Sequence, residues 1–306
     1  MMVAEPRPVA VELNAVLVAL IGDEPQVLTL ENGALLPSGP FESDHPTLQA
    51  GVRAWVEHQT HHPLGYVEQL YTFADRYRES TLGYRIVSIS YLGLTRERAA
   101  AGQHELGWQS FYRYFPWEDW REGPPKILTR TVLPRLKSWV EAASDDAKRR
   151  RQQRVEGNFD VSSWNEELAL QRYELLYEAG LVPEASRPRD AIVDPVPGEP
   201  MRYDHRRILA TGIARLRAKI KYRPVVFELM PPDFTLGQLQ RAVEALAGRL
   251  LHKQNFRRLV EQQWLVEETG AMTADTGGRP AKLYRFRREI VLERAVAGSK
   301  LPLARA

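Results

Sequence analysis

The stretch HKQNFRRLVEQQWLVEETGAMTADTGGRPAKLYRFRRE, residues 252–289, decides the fold of the C-terminal part of the chain. A polar, arginine-bearing segment with helical spacing runs into a short apolar strand. A glycine-rich loop follows, and a second strand then carries basic residues. Just upstream, Thr235 is a good N-cap for a helix over TLGQLQRAVEALAG. The pattern therefore predicts two short helices joined by a turn and followed by a β-hairpin.

That order of elements is typical of a winged helix-turn-helix, whose second helix enters the DNA major groove. The amides of Gln254 and Asn255 stand at the start of this helix, where amides pair with adenine edges. The guanidiniums of Arg257 and Arg258 can reach guanine or phosphate. We predict that these four side chains contact DNA.

The hairpin predicts further contacts from the wing. Gly277 and Gly278 permit a tight turn, Arg279 is suited to a minor groove, and Lys282 to phosphate. A second interpretation stays open, because winged helices also serve as protein-interaction or dimer modules. In that case Arg279, next to Pro280, anchors the hairpin.

The charge distribution favours DNA. Residues 201–306 carry 21 Lys and Arg against 10 Asp and Glu, whereas residues 1–200 carry 21 against 29. A basic C-terminal third indicates a module that meets a polyanion, unless it is only a solvated basic face. The chain has no cysteine, which excludes disulfides and thiolate chemistry. The N-terminus lacks the pattern of a signal peptide and its apolar run is too short to span a bilayer, so we expect a cytoplasmic protein with no membrane partner.

The N-terminal part alternates strand and helix patterns. Residues 9–20 and 25–30 read as strands, a short helix follows near residue 50, and two β-rich segments come next. This order predicts an α/β sandwich. Long helical patterns follow over 126–155 and 164–182, and residues 184–200 are a proline-rich linker. We also expect a short strand over PVVFELMP. We place an effector domain at 1–125, a helical connector and dimerisation region at 126–200, and the winged helix at 201–295.

Several segments together resemble a known family. FTLGQLQRAVEALAG, NFRRLVEQQWLVEETG and GRPAKLYRF are similar to the C-terminal winged helix of the Nudix-related transcriptional regulators of NAD metabolism. WQSFYRYFPWEDWREGPPKIL and WNEELALQRYELLYEAGLVPEA resemble its longer branch, the repressors of de novo NAD biosynthesis genes. The resemblance implies a Nudix-like α/β sandwich, a helical connector and a C-terminal winged helix-turn-helix.

The Nudix box, G-x5-E-x7-R-E-U-x-E-E-x-G-U, is degenerate in this chain. Aligned on Gly39, Arg53 and Glu57 keep their box positions, and Trp55 fills the apolar one. The other box positions are changed to His45, Ala54, His58 and Thr60. One remaining carboxylate cannot hold the magnesium ions that hydrolysis needs. We therefore predict no catalytic residues and no metal. His58 and His62, four apart, are better read as surface residues than as metal ligands.

The resemblance places an effector pocket in this domain. LYTFADRYRESTLGYRIVSISYLGL is similar to the segment after the box in ADP-ribose-recognising Nudix domains, where an arginine–acid pair lies between two strands. Arg78 and Glu79 occupy that place, and Tyr91 is positioned to stack on adenine. An arginine binds phosphate through two parallel hydrogen bonds; a salt bridge between Arg78 and Glu79 is the alternative. The predicted effector-binding residues are Arg53, Glu57, Arg78, Glu79 and Tyr91; for Arg53 and Glu57 a structural role is the open alternative.

By resemblance, the chain is a homodimer that binds a palindromic operator in double-stranded DNA. It requires no cofactor, and its effector is an NAD-related nucleotide: NAD, ADP-ribose or ATP. Two alternatives stay open. One is an atypical Nudix hydrolase of ADP-ribose or NAD with an accessory winged helix, which would turn over substrate with Mg²⁺ or Mn²⁺. The other is a winged-helix interaction protein that binds no nucleotide.

Overall fold

A mixed six-stranded sheet forms the N-terminal part of the protein, as the alternating pattern predicts. The computed structural model describes residues 9–61, 64–74, 84–96, 107–185, 195–273, 280–287 and 289. The strand order is β4–β5–β1–β2–β6, and β3 pairs with β1. Strands β1 and β5 are parallel, and the other pairs are antiparallel. The strands are β1 (Val9–Ile21), β2 (Glu24–Thr29), β3 (Ser38–Pro40), β4 (Tyr66–Phe73), β5 (Arg85–Leu94) and β6 (Gly107–Ser110).

Alternate residues of β1 face two different layers. Leu13 and Leu17 pack with Val52 and Val56 of helix α1 (Leu48–Thr60) on one side. Val16 and Val18 belong to the larger core on the other side. Thr47 is the N-cap of helix α1, and its hydroxyl accepts a hydrogen bond from Ala50 N at 3.0 Å. The sheet is therefore covered on both faces, which confirms the predicted α/β sandwich.

The connector is more broken than its sequence pattern suggests. The single helix expected over 126–155 is a π-helical turn (Leu128–Val132), then α3 (Leu133–Glu141) and α4 (Asp145–Phe159). Pro134 lies in the first turn of α3, where a backbone N–H is not needed for the helical hydrogen bonds. A turn at Ala142–Ala143 ends that helix. The pattern over 164–182 yields a 3₁₀ turn (Glu166–Leu168) and α5 (Ala169–Glu178), and Gly180, at φ +70°, is the predicted stop.

The basic run on α4 is a solvated helix face. Arg149 pairs with Asp146 at 2.5 Å, Arg154 pairs with Glu178 at 2.6 Å, and Lys148 pairs with Glu141. The acidic partners are exposed; Asp146 lies on α4 itself, and Glu141 and Glu178 lie on the flanking helices. The run is therefore largely neutralised by its neighbours.

The C-terminal part has the predicted helix-turn-helix and hairpin. Its elements are α6 (His205–Tyr222), β7 (Asp233–Phe234), α7 (Leu236–Ala247), α8 (Lys253–Gln262), β8 (Val266–Thr273) and β9 (Ala281–Phe286). The three strands pair in the order β7–β9–β8. The strand expected over PVVFELMP is wrong, because Val225–Glu228 form a 3₁₀ turn whose apolar side chains are buried. A short apolar run between prolines fits either structure.

Helix α6 packs on the sheet as well as on the winged helix. Gly212 lies so close to β1 that a Cβ there would be 2.9 Å from Val16 Cγ1. Lys219 donates to Tyr66 Oη on β4 at 2.8 Å and pairs with Glu68. The division at residue 201 stays a prediction, but one continuous core contains sheet, connector and winged-helix residues. Within the described ranges, no helix is long and apolar enough to cross a membrane.

A buried ion cluster joins these parts. Glu118 follows the one-turn helix α2 (Phe111–Tyr114) and is 1% exposed. Arg172 of α5 donates to its two carboxylate oxygens at 2.6 and 2.8 Å, and Arg217 of α6 donates to Oε2 at 2.5 Å. Burial raises the pKa of Glu118, but the two guanidiniums outweigh this and hold its pKa below the ordinary value.

The same cluster holds helix α7 in place. Arg217 Nε donates to Leu246 O at 3.0 Å, and Trp120 N donates to Gly248 O at 2.6 Å. Gly248 ends α7 at φ +73°, and a Cβ there would lie 2.4 Å from Glu118 O. The first helix of the helix-turn-helix is thus docked on the segment that leaves the sheet.

We predict that Glu118→Gln lowers the free energy of unfolding by about 3–5 kcal/mol, because two buried guanidiniums lose their counter-charge. Urea unfolding followed by circular dichroism measures this. Glu178→Gln removes an equivalent charge from the exposed pair with Arg154 and is expected to cost at most about 1 kcal/mol. Equal losses in the two variants would contradict the structural role of the cluster.

Candidate nucleic-acid interface and effector site

Local signals fix the helix-turn-helix. Thr235 Oγ1 accepts from Gln238 N at 3.1 Å, and Gln238 Oε1 accepts from Thr235 N at 2.8 Å, so a full capping box starts α7. Phe256 and Val260 of α8 are buried in the main core. These contacts fix which face of α8 points away from the protein.

The outward face of α8 carries all four predicted contact residues of this helix. Gln254, Asn255, Arg257 and Arg258 are all exposed. At 100° per residue, Arg258 lies opposite the buried side chains of Phe256 and Val260.

Sequence reasoning missed one residue of this face. Glu261 is exposed and continues the i, i+4, i+7 stripe begun by Gln254 and Arg258. That spacing was the available signal. A carboxylate here can accept from the N4 amino group of cytosine but repels phosphate.

One predicted DNA-contacting residue of the wing, Lys282, is paired with a carboxylate. Lys282 donates to both carboxylate oxygens of Glu268 across the hairpin, at 2.8 and 3.0 Å. The hydrogen bond to Glu268 raises the pKa of Lys282. A phosphate contact by Lys282 would therefore compete with this pair. Arg279 lies outside the described residues.

Among the described Nudix box residues, Gly39, Trp55 and Arg53 make close contacts with neighbouring segments. A Cβ on Gly39 would lie 2.2 Å from Trp55 Cδ2, and Trp55 Nε1 donates to Pro40 O at 2.7 Å. Arg53 donates to Leu64 O and, at 3.1 Å, to Gly65 O, which closes the loop after α1. Glu57 is exposed on the same helix.

Tyr91 lies in the hydrophobic cluster between α1 and the sheet and is 4% exposed. Burial raises its pKa. Stacking on a base would require this cluster to open, and the predicted contact of Tyr91 with the effector stays a prediction. Arg78 and Glu79 lie outside the described residues, and their role stays a prediction.

A buried polar row on the other face of the sheet escaped sequence reasoning. Asn14, fully buried on β1, donates to Ser88 Oγ on β5 at 2.7 Å. Ser88 Oγ in turn donates to Glu12 Oε2 at 3.5 Å. Among the described residues, the acceptor Asn14 Oδ1 has no partner. The sequence signal for this row was the pair Glu12 and Asn14, polar residues at alternate positions of the apolar strand β1. Such a group is suited to an amino or hydroxyl donor of a ligand.

One group of metal-ligating side chains is present among the described residues. Glu42, Asp44 and His45, before α1, bring one ligand atom each to within 4.8 Å of one another. His45 Nδ1 already accepts from Glu42 N at 3.1 Å. His58 is exposed beside Trp55, and His62 lies outside the described residues. The arrangement does not rebuild the glutamate set of the Nudix box.

Comparisons with known proteins agree with this architecture. A family model described as the NrtR DNA-binding winged helix domain matches residues 226–286. Over 86 residues the chain is 42% identical to the ADPR responsive transcriptional repressor NtrR of Acinetobacter baylyi. This aligned segment covers 28% of this chain and 34% of the repressor. The match thus spans about a third of that relative's length.

Solved structures share the whole fold. Shewanella oneidensis NrtR, crystallised with a 27mer DNA, has a TM-score of 0.55 at 20% identity and covers 90% of this chain and 93% of that one. A MutT/nudix family protein from Enterococcus faecalis has a TM-score of 0.54 at 16% identity, covering 94% and 90%. These likenesses confirm the predicted fold class. Residues 226–286 match the NrtR DNA-binding winged helix model, and the chain has the fold of NrtR, in which a Nudix-like α/β domain precedes a winged helix.

Proposed function

We propose that the protein is a ligand-responsive transcriptional repressor that binds DNA through α8 and the wing. The observation that carries the proposal is the outward face of α8, where Gln254, Asn255, Arg257 and Arg258 are exposed on a helix whose other side is fixed in the core. Amide and guanidinium groups on one helix face are the means by which a recognition helix reads base edges. The family match over 226–286 supports the same assignment.

The effector in this proposal is an NAD-related nucleotide, namely NAD, ADP-ribose or ATP, bound by the Nudix-like domain. Support comes from the relative in Acinetobacter baylyi, whose name describes it as ADPR responsive. Asn14 Oδ1, which is buried in the sheet and has no partner among the described residues, offers an acceptor for a ribose hydroxyl or an adenine amino group. Arg78 and Glu79 are the proposed arginine–acid pair of this site, and Arg78 is the residue proposed to bind phosphate.

Helix α6 is the proposed route from ligand to DNA. Its first residue, His205, accepts from Leu36 N at 2.8 Å beside the sheet, and Arg217, three turns on, holds both Glu118 and α7. A ligand changes DNA affinity only if it binds the two arrangements of α6 unequally. A shift of α6 would move α7 and α8 together, because Arg217 is bonded to the end of α7.

The proposal includes a cytoplasmic homodimer on a palindromic operator, since two-fold symmetry in the protein matches two-fold symmetry in the site. Half-sites lie about one or two helical turns apart. The regulated genes in this proposal are those of NAD biosynthesis. These points rest on the family resemblance.

We predict that Arg258→Ala weakens binding to operator DNA by about 1–3 kcal/mol, or roughly 5- to 150-fold, if the lost contact is bidentate to guanine. A gel shift on the chain's own upstream DNA measures it. Arg150→Ala removes the same charge from the exposed run on α4 and serves as the control, with binding unchanged. If Arg150→Ala weakens binding as much as Arg258→Ala, α8 is not the reading helix.

We predict that Glu261→Ala relaxes base preference at one operator position while strengthening binding to random-sequence DNA, because a carboxylate near phosphates is removed. Selection from a randomised operator pool, compared with the parent protein, gives the result. Tighter binding with an unchanged base preference would show that Glu261 only repels the backbone.

We propose that the Nudix-like domain does not hydrolyse its ligand. Incubation of the chain with ADP-ribose and Mg²⁺ or Mn²⁺ is expected to yield no AMP, because the box keeps one glutamate, Glu57. Turnover that disappears in Glu57→Gln would contradict this and favour the hydrolase alternative.

A further inference from the structure

A cleft of 380 Å³ lies where the sheet domain meets the base of the wing. Arg96 enters it from just beyond the end of β5. The rest of the lining comes from the segment before α7 and from β9. Its main lining residues are Arg96, Phe227, Pro231, Phe234, Arg285 and Phe286.

One wall of the cleft is aromatic. The rings of Phe227 and Phe286 stack with centroids 4.1 Å apart and planes at 14°, and Phe234 lies 5.7 Å from Phe227. Phe227 and Phe234 are buried and anchor the wall in the core, and Phe286 is its partly exposed ring. A fixed apolar surface of this kind favours a flat ring over a flexible chain.

The cleft also holds an unsatisfied donor. Arg96 Nε is buried and has no hydrogen-bond partner in the described part of the chain. A buried N–H without an acceptor destabilises the structure, and an incoming acceptor would remove that cost. A guanidinium is best matched by a carboxylate or phosphate.

Arg285 adds a second guanidinium with spare capacity. Its Nε is 3.9 Å from carboxylate oxygens of both Asp233 and Glu267, which is beyond hydrogen-bond distance. Two carboxylates, Glu228 and Asp233, also line the cleft. Because the two carboxylates offset the two guanidiniums, an anion without a ring is bound weakly. A ligand with both a ring and an anionic group can contact the phenylalanines and a guanidinium together.

We infer that this cleft binds a small planar aromatic molecule carrying one carboxylate or phosphate group, with its ring against the phenylalanine wall and its anion at Arg96. Its volume suits a single-ring acid or a mononucleotide. The inference goes beyond the proposed function, because it holds whether or not the chain binds DNA. An occupant would contact the sheet domain and the wing base at once.

The test is calorimetric titration of the full chain, without DNA, with benzoate and with AMP. Benzamide and adenosine keep the rings but lack the anion, and inorganic phosphate lacks the ring. We expect benzoate or AMP to bind, with each neutral or ringless counterpart at least tenfold weaker. Arg96→Gln is expected to weaken binding at least tenfold, and Arg150→Gln, which removes the same charge from α4, to leave it unchanged.

Two checks keep the outcome decisive. Arg285→Gln, at an exposed position, is a second variant and is expected to weaken binding even if Arg96→Gln folds poorly. AMP binding that survives both substitutions belongs to another site and overturns the inference. The inference is also overturned if AMP binds no more tightly than adenosine and benzoate no more tightly than benzamide. It is overturned as well if neither benzoate nor AMP binds. None of these results bears on the gel-shift test of the α8 face.

Discussion

The buried carboxylate of Glu118 is the constraint on which the rest of the structure depends. A charge removed from water is tolerated only when partners replace its hydration. Here Arg172 and Arg217 supply them, and their remaining donors reach the backbone carbonyls of Asn165, Glu166 and Leu246. Because these groups belong to the connector, α6 and α7, the carboxylate stabilises only one mutual arrangement of all of them. The geometry of the helix-turn-helix is therefore set partly from outside the winged helix.

This arrangement suits a protein in which one domain controls the other. A flexible linker between a sensing sheet and a DNA-binding domain would transmit little, since neither part would restrict the other. In this chain α6 contacts the sheet through Gly212 and Lys219 and contacts α7 through Arg217. In the proposed function, a ligand that alters the packing of α6 on the sheet would have to break or preserve these contacts as a set, which would give a two-state response.

The sequence predicted what is local and missed what is long-range. Thr235 and Gly180 are read correctly because caps and stops depend on neighbouring residues. The family fold followed from segments that resemble known ones. In contrast, Glu118 and Arg217 are 99 positions apart, and nothing in their surroundings marks them as partners. The polar row at Asn14 and the 3₁₀ turn at Val225–Glu228 depend equally on tertiary packing.

In the candidate site, too, local features were predictable and long-range contacts were not. The exposed face of α8 follows from helical periodicity, so Arg257 and Arg258 could be chosen from the sequence. That Lys282 is engaged by Glu268 follows from the register of the hairpin, which no turn signal fixed. Arg53 bonds to backbone carbonyls eleven and twelve residues away, and nothing in the sequence marks these carbonyls as its partners.

The most direct test of the central claim is native-state hydrogen exchange. We expect the amides of Leu92 on β5 and Val243 on α7, both fully buried, to exchange through one opening with the same free energy, equal to that of global unfolding. Exchange of Val243 through a separate opening several kcal/mol below that of Leu92 would show that the helix-turn-helix opens by itself. The buried cluster would then not unite the two domains.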